Sequence, residues 1–232
     1  MPGTTPSSDG RPAVDPSADP GVDGANRLAS YGWSTTQEPH TCAFLTPEVL
    51  AILASSGARR VLDLGCGNGA LCAALSEAGY AVVGLEVDAQ AVAIARQAYP
   101  HIRFHCLGVE SSPQALLQEE EPFDAVVSTE VIEHLYSPHL LPRFAAAVLK
   151  PGGLLVISTP YHGYWKNLAL SLTNGWDKHL TALWHGGHIK FWSRATLTTL
   201  LSQAGFRVTG FRGVGRLPFL WMCMIVVAQK RA

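Results

Sequence analysis

Residues 61–69, Val-Leu-Asp-Leu-Gly-Cys-Gly-Asn-Gly, restrict this chain to a narrow set of folds. An apolar run carries Asp63 near its end, and glycines follow at alternate positions, Gly65, Gly67 and Gly69. Glycine reaches backbone conformations closed to other residues and carries no Cβ. The pattern therefore predicts a strand turning tightly into a helix, where a ligand can press against the backbone. Seventeen residues past Gly69, the run Ala-Val-Val-Gly-Leu ends on Glu86. An acid at the tip of a second strand is where such folds hold ribose hydroxyls. The spacing points to a cofactor that carries an adenosine.

Beyond residue 59, short apolar runs alternate with longer amphipathic ones. Strands are expected at 59–64, 81–86, 102–107, 123–128 and 153–158, and helices near 69–78, 88–98, 112–119, 137–148 and 194–204. The strands are continuously apolar, as when both faces of a sheet are covered. This alternation predicts an α/β, Rossmann-like, doubly wound and mostly parallel sheet. Lys150-Pro151-Gly152-Gly153 is expected to stop a helix and turn into the fifth strand. Segments 206–211 and 219–228 read as an antiparallel pair closing the sheet edge, for seven strands in all.

Composition sets the outer limits. Pro, Gly, Ser and Asp dominate residues 1–25, which read as a flexible tail ahead of one domain over 26–232. The tail lacks the basic start and apolar core of a secretory signal. Five cysteines without zinc or redox spacing suggest reduced thiols and a cytoplasmic setting. A formal net charge of −1 shows no electrostatic footprint for nucleic acid. Residues 160–192 hold four of the six tryptophans and four of the nine histidines, and read as a substrate cap above the cofactor edge.

Gly65-Cys66-Gly67-Asn68-Gly69-Ala70 satisfies the dinucleotide fingerprint in form, but Asp63 argues for another ligand. A carboxylate there suits a cationic cofactor, and S-adenosylmethionine (SAM) offers both a sulfonium and an ammonium. The chain resembles the class I SAM-dependent methyltransferases in Asp63 to Gly69, Gly84-Leu-Glu86, Phe123-Asp-Ala-Val-Val-Ser-Thr-Glu130 and Leu149-Lys-Pro-Gly-Gly153. The resemblance implies that Asp63, Gly65 and Gly67 line the methionine end and that Glu86 holds the ribose. It places Val109 and Glu110 near the adenine and Thr129 under the sulfonium. Cys66, Asn68, Gly69 and Val87 complete the expected cofactor set.

Glu130-Val-Ile-Glu133-His134 is the second informative stretch. In a helical turn, positions i, i+3 and i+4 share a face, so two carboxylates and an imidazole would point together. A divalent cation would relieve the repulsion between the acids. The reading without a metal is an acidic helix start favoured by the macrodipole. Trp184-His-Gly-Gly-His188 offers further ligands. The stretch resembles two metal-binding branches of the family, the small-RNA 2′-O-methyltransferases and the ubiquinone-biosynthesis O-methyltransferases. That likeness implies Glu130, Glu133, His134 and His188 as ligands of Mg²⁺ or a similar ion. The cap departs from both branches, so substrate identity does not carry over.

The expected function is O-methylation of a small hydroxylated acceptor, a catechol or vicinal diol, in an aromatic or apolar compound. Glu133, His134, His188 and His185 are the expected catalytic groups, and His162 is a further candidate base. The alternatives are metal-free N- or C-methylation and a non-catalytic SAM-binding partner subunit. RNA methylation is disfavoured by the few basic residues. Residues 164–184 have apolar positions at helical spacing and interfacial tryptophans, which also fits a helix lying on a bilayer. With only Lys166 and Lys178 basic in that stretch, a cap over an apolar substrate is the preferred reading.

Overall fold

A computed structural model of the protein describes residues 33, 35, 41–180 and 187–231. The 1–25 tail expected from composition lies outside them, as do Trp184 and His185. The strands are β1 (Arg60–Leu64), β2 (Ala81–Glu86), β3 (Arg103–Cys106), β4 (Phe123–Thr129), β5 (Leu149–Pro160), β6 (Phe206–Val214) and β7 (Cys223–Lys230). They form one seven-stranded sheet in the order β3-β2-β1-β4-β5-β7-β6. Strands β1 to β5 pair in parallel, and β7 lies antiparallel between β5 and β6. This is the expected Rossmann-like architecture.

Register decides where the site can be. Asp63 pairs with Gly84 on one side and Val127 on the other, and Thr129 pairs with Ser158. The strand ends carrying Asp63, Glu86, Thr129 and Ser158 therefore share the carboxyl edge, where open parallel sheets bind ligands.

Both faces of the sheet are buried, which explains the continuous apolar runs. Leu62, Val126, Leu155, Ile157, Met224 and Val226 face one core with Leu141 and Phe144 of helix α5 (Leu140–Val148). Val61, Ala125, Val127, Val156 and Ile225 face the other, against Leu45, Val49, Ile52 and Leu53 of α1 (Cys42–Ser56). The remaining helices are α2 (Ala70–Glu77), α3 (Ala89–Ala98), α4 (Pro113–Leu117), α6 (Tyr164–Leu172), α7 (Trp176–Leu180) and α8 (Arg194–Gln203). No helix among the described residues is long and apolar enough to cross a membrane.

Three features differ from expectation. Helix α1 was not anticipated, although its buried positions recur at i, i+4, i+7 and i+8; Pro47 inside it interrupts the pattern. Lys150 to Gly153 does not separate a helix from a strand but lies within β5, opposite a register shift at Phe123/Ala125. Trp192, placed with the cap by sequence, is 8% exposed and belongs to the α5-side core. Its indole nitrogen is buried without a hydrogen-bond partner. Trp192→Ala should therefore lower unfolding free energy by about 3–5 kcal/mol. Trp192→Phe should cost less, because it keeps a six-membered aromatic ring in the core, leaves a smaller cavity than alanine and removes an unsatisfied donor. Urea denaturation of the variants checks both.

Candidate active site

The glycine turn adopts a backbone that only glycine holds comfortably. Gly65, Gly67 and Gly69 have φ of 86°, 53° and 83°. A Cβ at Gly65 would stand 2.4 Å from Val131 Cγ2, and one at Gly67 would stand 2.5 Å from Trp33 Cζ2. Trp33 thus lies against the loop. Sequence reasoning missed it, and the only signal was a large aromatic in a polar stretch.

Glu86 anchors this loop. Its Oε2 accepts from the Gly67 amide at 2.9 Å, and its Oε1 accepts from the Val87 and Asp88 amides at 2.8 and 3.0 Å. Burial raises its pKa, and those amides oppose the rise. Asn68 braces the same turn, accepting from the Ala70 amide and donating to the Thr35 carbonyl at 3.1 Å. Cys66 is buried beside it. Val109 and Glu110 lie in the turn after β3, with Glu110 exposed, and Thr129 closes β4.

Asp63 is 1% exposed. Its Oδ2 accepts from the Cys72 thiol at 3.2 Å, while Oδ1 is buried with no hydrogen-bond partner. Burial pushes its pKa up to about 7; the Cys72 hydrogen bond opposes this and Glu86 adds to it. A buried carboxylate oxygen without a donor is stabilised by a cation. The ammonium and sulfonium of SAM fit that requirement beside a loop with no Cβ in the way.

The acid–histidine stretch is arranged differently from a single helical turn. Glu130 has φ 55°, and only Ile132–His134 form a short 3₁₀ turn. The left-handed residue turns Glu130 away, and its Oε1 and Oε2 accept from Ser158 Oγ at 2.7 Å and Cys223 Sγ at 3.2 Å. Glu133, His134 and His188 do come together, each offering a ligand atom within 4.8 Å of the others. The Glu133 carbonyl accepts from the Ile189 and Lys190 amides, both at 3.0 Å, which fixes His188 beside the turn. Glu133 is 1% exposed; Thr159 Oγ1 donates to its Oε2 at 3.0 Å, and Oε1 is buried without a partner. Burial raises its pKa well above the usual range, and Glu130 adds to that. His185 falls outside the described residues.

Sequence reasoning did not assign roles to Ser158, Thr159 and Cys223, which support the acids, or to Lys166 in the first turn of α6. Lys166 is 6% exposed and donates to the Met222 carbonyl at 3.1 Å. The pairing of β4 with β5 brings in Ser158 and Thr159, and that of β5 with β7 brings in Cys223 and the Met222 carbonyl, neither of which is written in the order of residues.

The profile of the methyltransferase domain family matches residues 35–210. The chain belongs to the class I SAM-dependent methyltransferases. A ubiquinone biosynthesis O-methyltransferase of Bradyrhizobium diazoefficiens is 35% identical over 169 residues, 70% of this chain and 64% of that one. This methyltransferase therefore spans just under two thirds of that relative's length. A protein of the same name from Maricaulis maris is 29% identical over 230 residues, 90% of this chain and 86% of that one. Magnesium protoporphyrin IX methyltransferase from Synechocystis PCC 6803, solved with bound SAH, superposes with a TM-score of 0.62 at 19% identity. The match covers 80% of this chain and 82% of that one, and it shows the shared fold.

Two outcomes follow for the cofactor end. Gly67→Ala places a Cβ at φ 53° against Trp33 and should weaken SAH binding by roughly tenfold or more. Calorimetric titration reads the loss, with circular dichroism confirming the fold. Asp63 makes the cofactor end pH-sensitive. Its raised pKa favours the protonated folded form, so its contribution to unliganded stability is full below pH 3.8 and is lost as pH rises through about 7. Ligand affinity should move the other way, rising from pH 6 to pH 8 as the carboxylate ionises. Asp63→Asn should flatten both profiles, measured by thermal melts and SAH titration.

Proposed function

We propose that this methyltransferase transfers the SAM methyl group to a hydroxyl oxygen of a small catechol or vicinal diol, with a divalent cation at Glu133, His134 and His188. The convergence of these three groups, with Glu133 Oε1 buried and unpartnered, carries the reading. One carboxylate and two imidazoles suit Mn²⁺, Fe²⁺ or Zn²⁺ better than Mg²⁺, which prefers oxygen ligands. Such an ion would supply the charge that lowers the pKa of the acceptor hydroxyl.

The protein's own residues do the rest. Asp63 and the glycine turn hold the donor, and the ends of β4 and β5 set the acceptor in line with it. Thr159 keeps Glu133 oriented, and Glu130, engaged by Ser158 and Cys223, braces the turn rather than acting as a ligand. Relatives bearing the name ubiquinone biosynthesis O-methyltransferase support oxygen as the accepting atom. Tyr164, Trp165 and Phe191, at 73%, 59% and 50% exposure, offer an apolar rim for the remainder of an aromatic acceptor. The reading keeps the thiols in a reducing, cytoplasmic compartment.

The test is a screen of catechols, monophenols and aliphatic diols with and without chelator. Catechols or vicinal diols should be methylated, chelation should remove most of the activity, and Mn²⁺ should restore it. Glu133→Gln should lower kcat by about 100-fold or more. Full activity after chelation and in Glu133→Gln would overturn the metal, and methylation of amines alone would overturn the oxygen acceptor.

A further inference from the structure

We propose that a recess between the start of β5, the start of β6 and the end of β7 binds the diphosphate group of a small molecule through Arg207, Lys230 and Arg231. The recess lies at the opposite edge of the sheet from the transfer site, and what binds there is independent of the methyl acceptor.

Strand direction places it. Strands β1 to β5 run parallel, with the cofactor and acid–histidine groups at their carboxyl ends. Gly152 stands near the amino end of β5. The antiparallel β7 brings its own carboxyl end to that edge, where Gln229 pairs with Leu154 and Lys230 pairs with Phe206 at the start of β6. Gly152, Arg207, Gln229, Lys230 and Arg231 thereby line an open recess of about 320 Å³. That is within the size range of small-molecule sites, at its lower end.

The charge in the recess is unbalanced. Of its five lining residues, three are cationic and none is acidic. Like charges gathered in one place repel unless an anion joins them. Elsewhere along this edge the cations are matched: Arg60 pairs with Glu120, and Lys150 pairs with Asp124 at 2.6 Å. Asp124 also accepts from the Arg59 and Arg60 amides, so its oxygens are engaged. No ion pair among the described residues involves Arg207, Lys230 or Arg231.

Basic residues at a sheet edge can serve simply to discourage pairing with another chain. That role needs charge but no fixed geometry, and here the donors are held in place. Gln229 Nε2 donates to the Gly152 carbonyl at 3.2 Å, and its Oε1 accepts from Arg207 Nη2 at 3.0 Å. Lys230 Nζ donates to the Leu149 carbonyl at 2.7 Å, and the Arg231 amide donates to the Gly205 carbonyl at 3.0 Å. These bonds leave further N–H groups on Arg207 and Lys230 for a ligand. Gly152, at φ 71°, has no Cβ to keep that ligand from the strand backbone.

The donor set selects the ligand class. A guanidinium fork matches paired anionic oxygens, and an ammonium adds a point charge. A carboxylate brings one negative charge and a phosphate about −1.5 to −2, both short of the three cations. Two linked phosphates come close to matching them.

Calorimetric titration of the protein with pyrophosphate, with and without saturating SAH, tests this. Pyrophosphate should bind at one site per chain, at least about tenfold tighter than inorganic phosphate, and equally well in the presence of SAH. Arg207→Gln combined with Arg231→Gln should weaken it by at least about tenfold, with SAH affinity and thermal melting as in wild type. Arg207→Lys should lose part of the affinity, since it keeps the charge without the fork. Arg143→Gln removes an exposed cation of α5 outside the recess and should change nothing. Absent binding to wild type, or full affinity in the double variant, would overturn the site. So would displacement by SAH, which would move the anion to the glycine turn, and equal weakening by Arg143→Gln, which would make the attraction diffuse.

Discussion

Three carboxylates, Asp63, Glu86 and Glu133, are buried along one edge of the sheet, and a fourth, Glu130, lies half-buried beside them. Burying a carboxylate is costly unless hydrogen bonds or a cation offset it, and the four are satisfied differently. Glu86 takes three backbone amides, and Glu130 takes a hydroxyl and a thiol. Asp63 and Glu133 each receive one donor on one oxygen and keep the other bare. The two acids with protein partners on both oxygens are the braces. The two with a bare oxygen are the ones that the proposed reading gives to positive charge, Asp63 on the donor side and Glu133 on the acceptor side.

The braces depend on the fold, and the fold's local exceptions serve them. Glu86 reaches the Gly67 amide because the turn runs through left-handed backbone, which points that amide toward β2. Glu130 reaches Ser158 and Cys223 because it is itself left-handed, at φ 55°. Strain of this kind costs of order 1–3 kcal/mol for a residue with a Cβ and persists where surrounding bonds outweigh it. Here four hydrogen bonds hold Glu130: its amide donates to the Ser158 carbonyl and hydroxyl, and its carboxylate accepts from the Ser158 hydroxyl and the Cys223 thiol.

This arrangement explains which parts were legible in the sequence. The cofactor half was, because the glycine turn, Asp63 and Glu86 are local, and strand-to-helix turns of this type place such residues by spacing alone. The parallel sheet was legible from its continuous apolar runs. Pairing of Glu133, His134 and His188 was approached through the wrong geometry, since a helical turn would have included Glu130. A positive φ at a glutamate leaves no trace in residue order. Ser158, Thr159 and Cys223 meet Glu130 and Glu133 only through the β4–β5–β7 register, which the chain reaches across more than sixty residues from Ser158 to Cys223. Trp192 misled for a related reason: an aromatic after a polar, histidine-rich stretch looks like cap, but the chain has already returned to the core.

In the proposed reaction the two bare oxygens would contribute in different ways. SAM and its product both carry the amino group that Asp63 would meet, so much of the Asp63 interaction persists through the reaction. Binding that is equal in ground and transition states retains the cofactor without accelerating transfer. Glu133 would differ on the proposed reading, because a cation held there would act on an acceptor oxygen that becomes more negative as its proton leaves. That interaction strengthens toward the transition state, which is where binding energy raises kcat. On the proposed reading, cofactor retention and rate enhancement would thus fall to separate carboxylates on the same strand edge, Asp63 in β1 and Glu133 in the turn after β4.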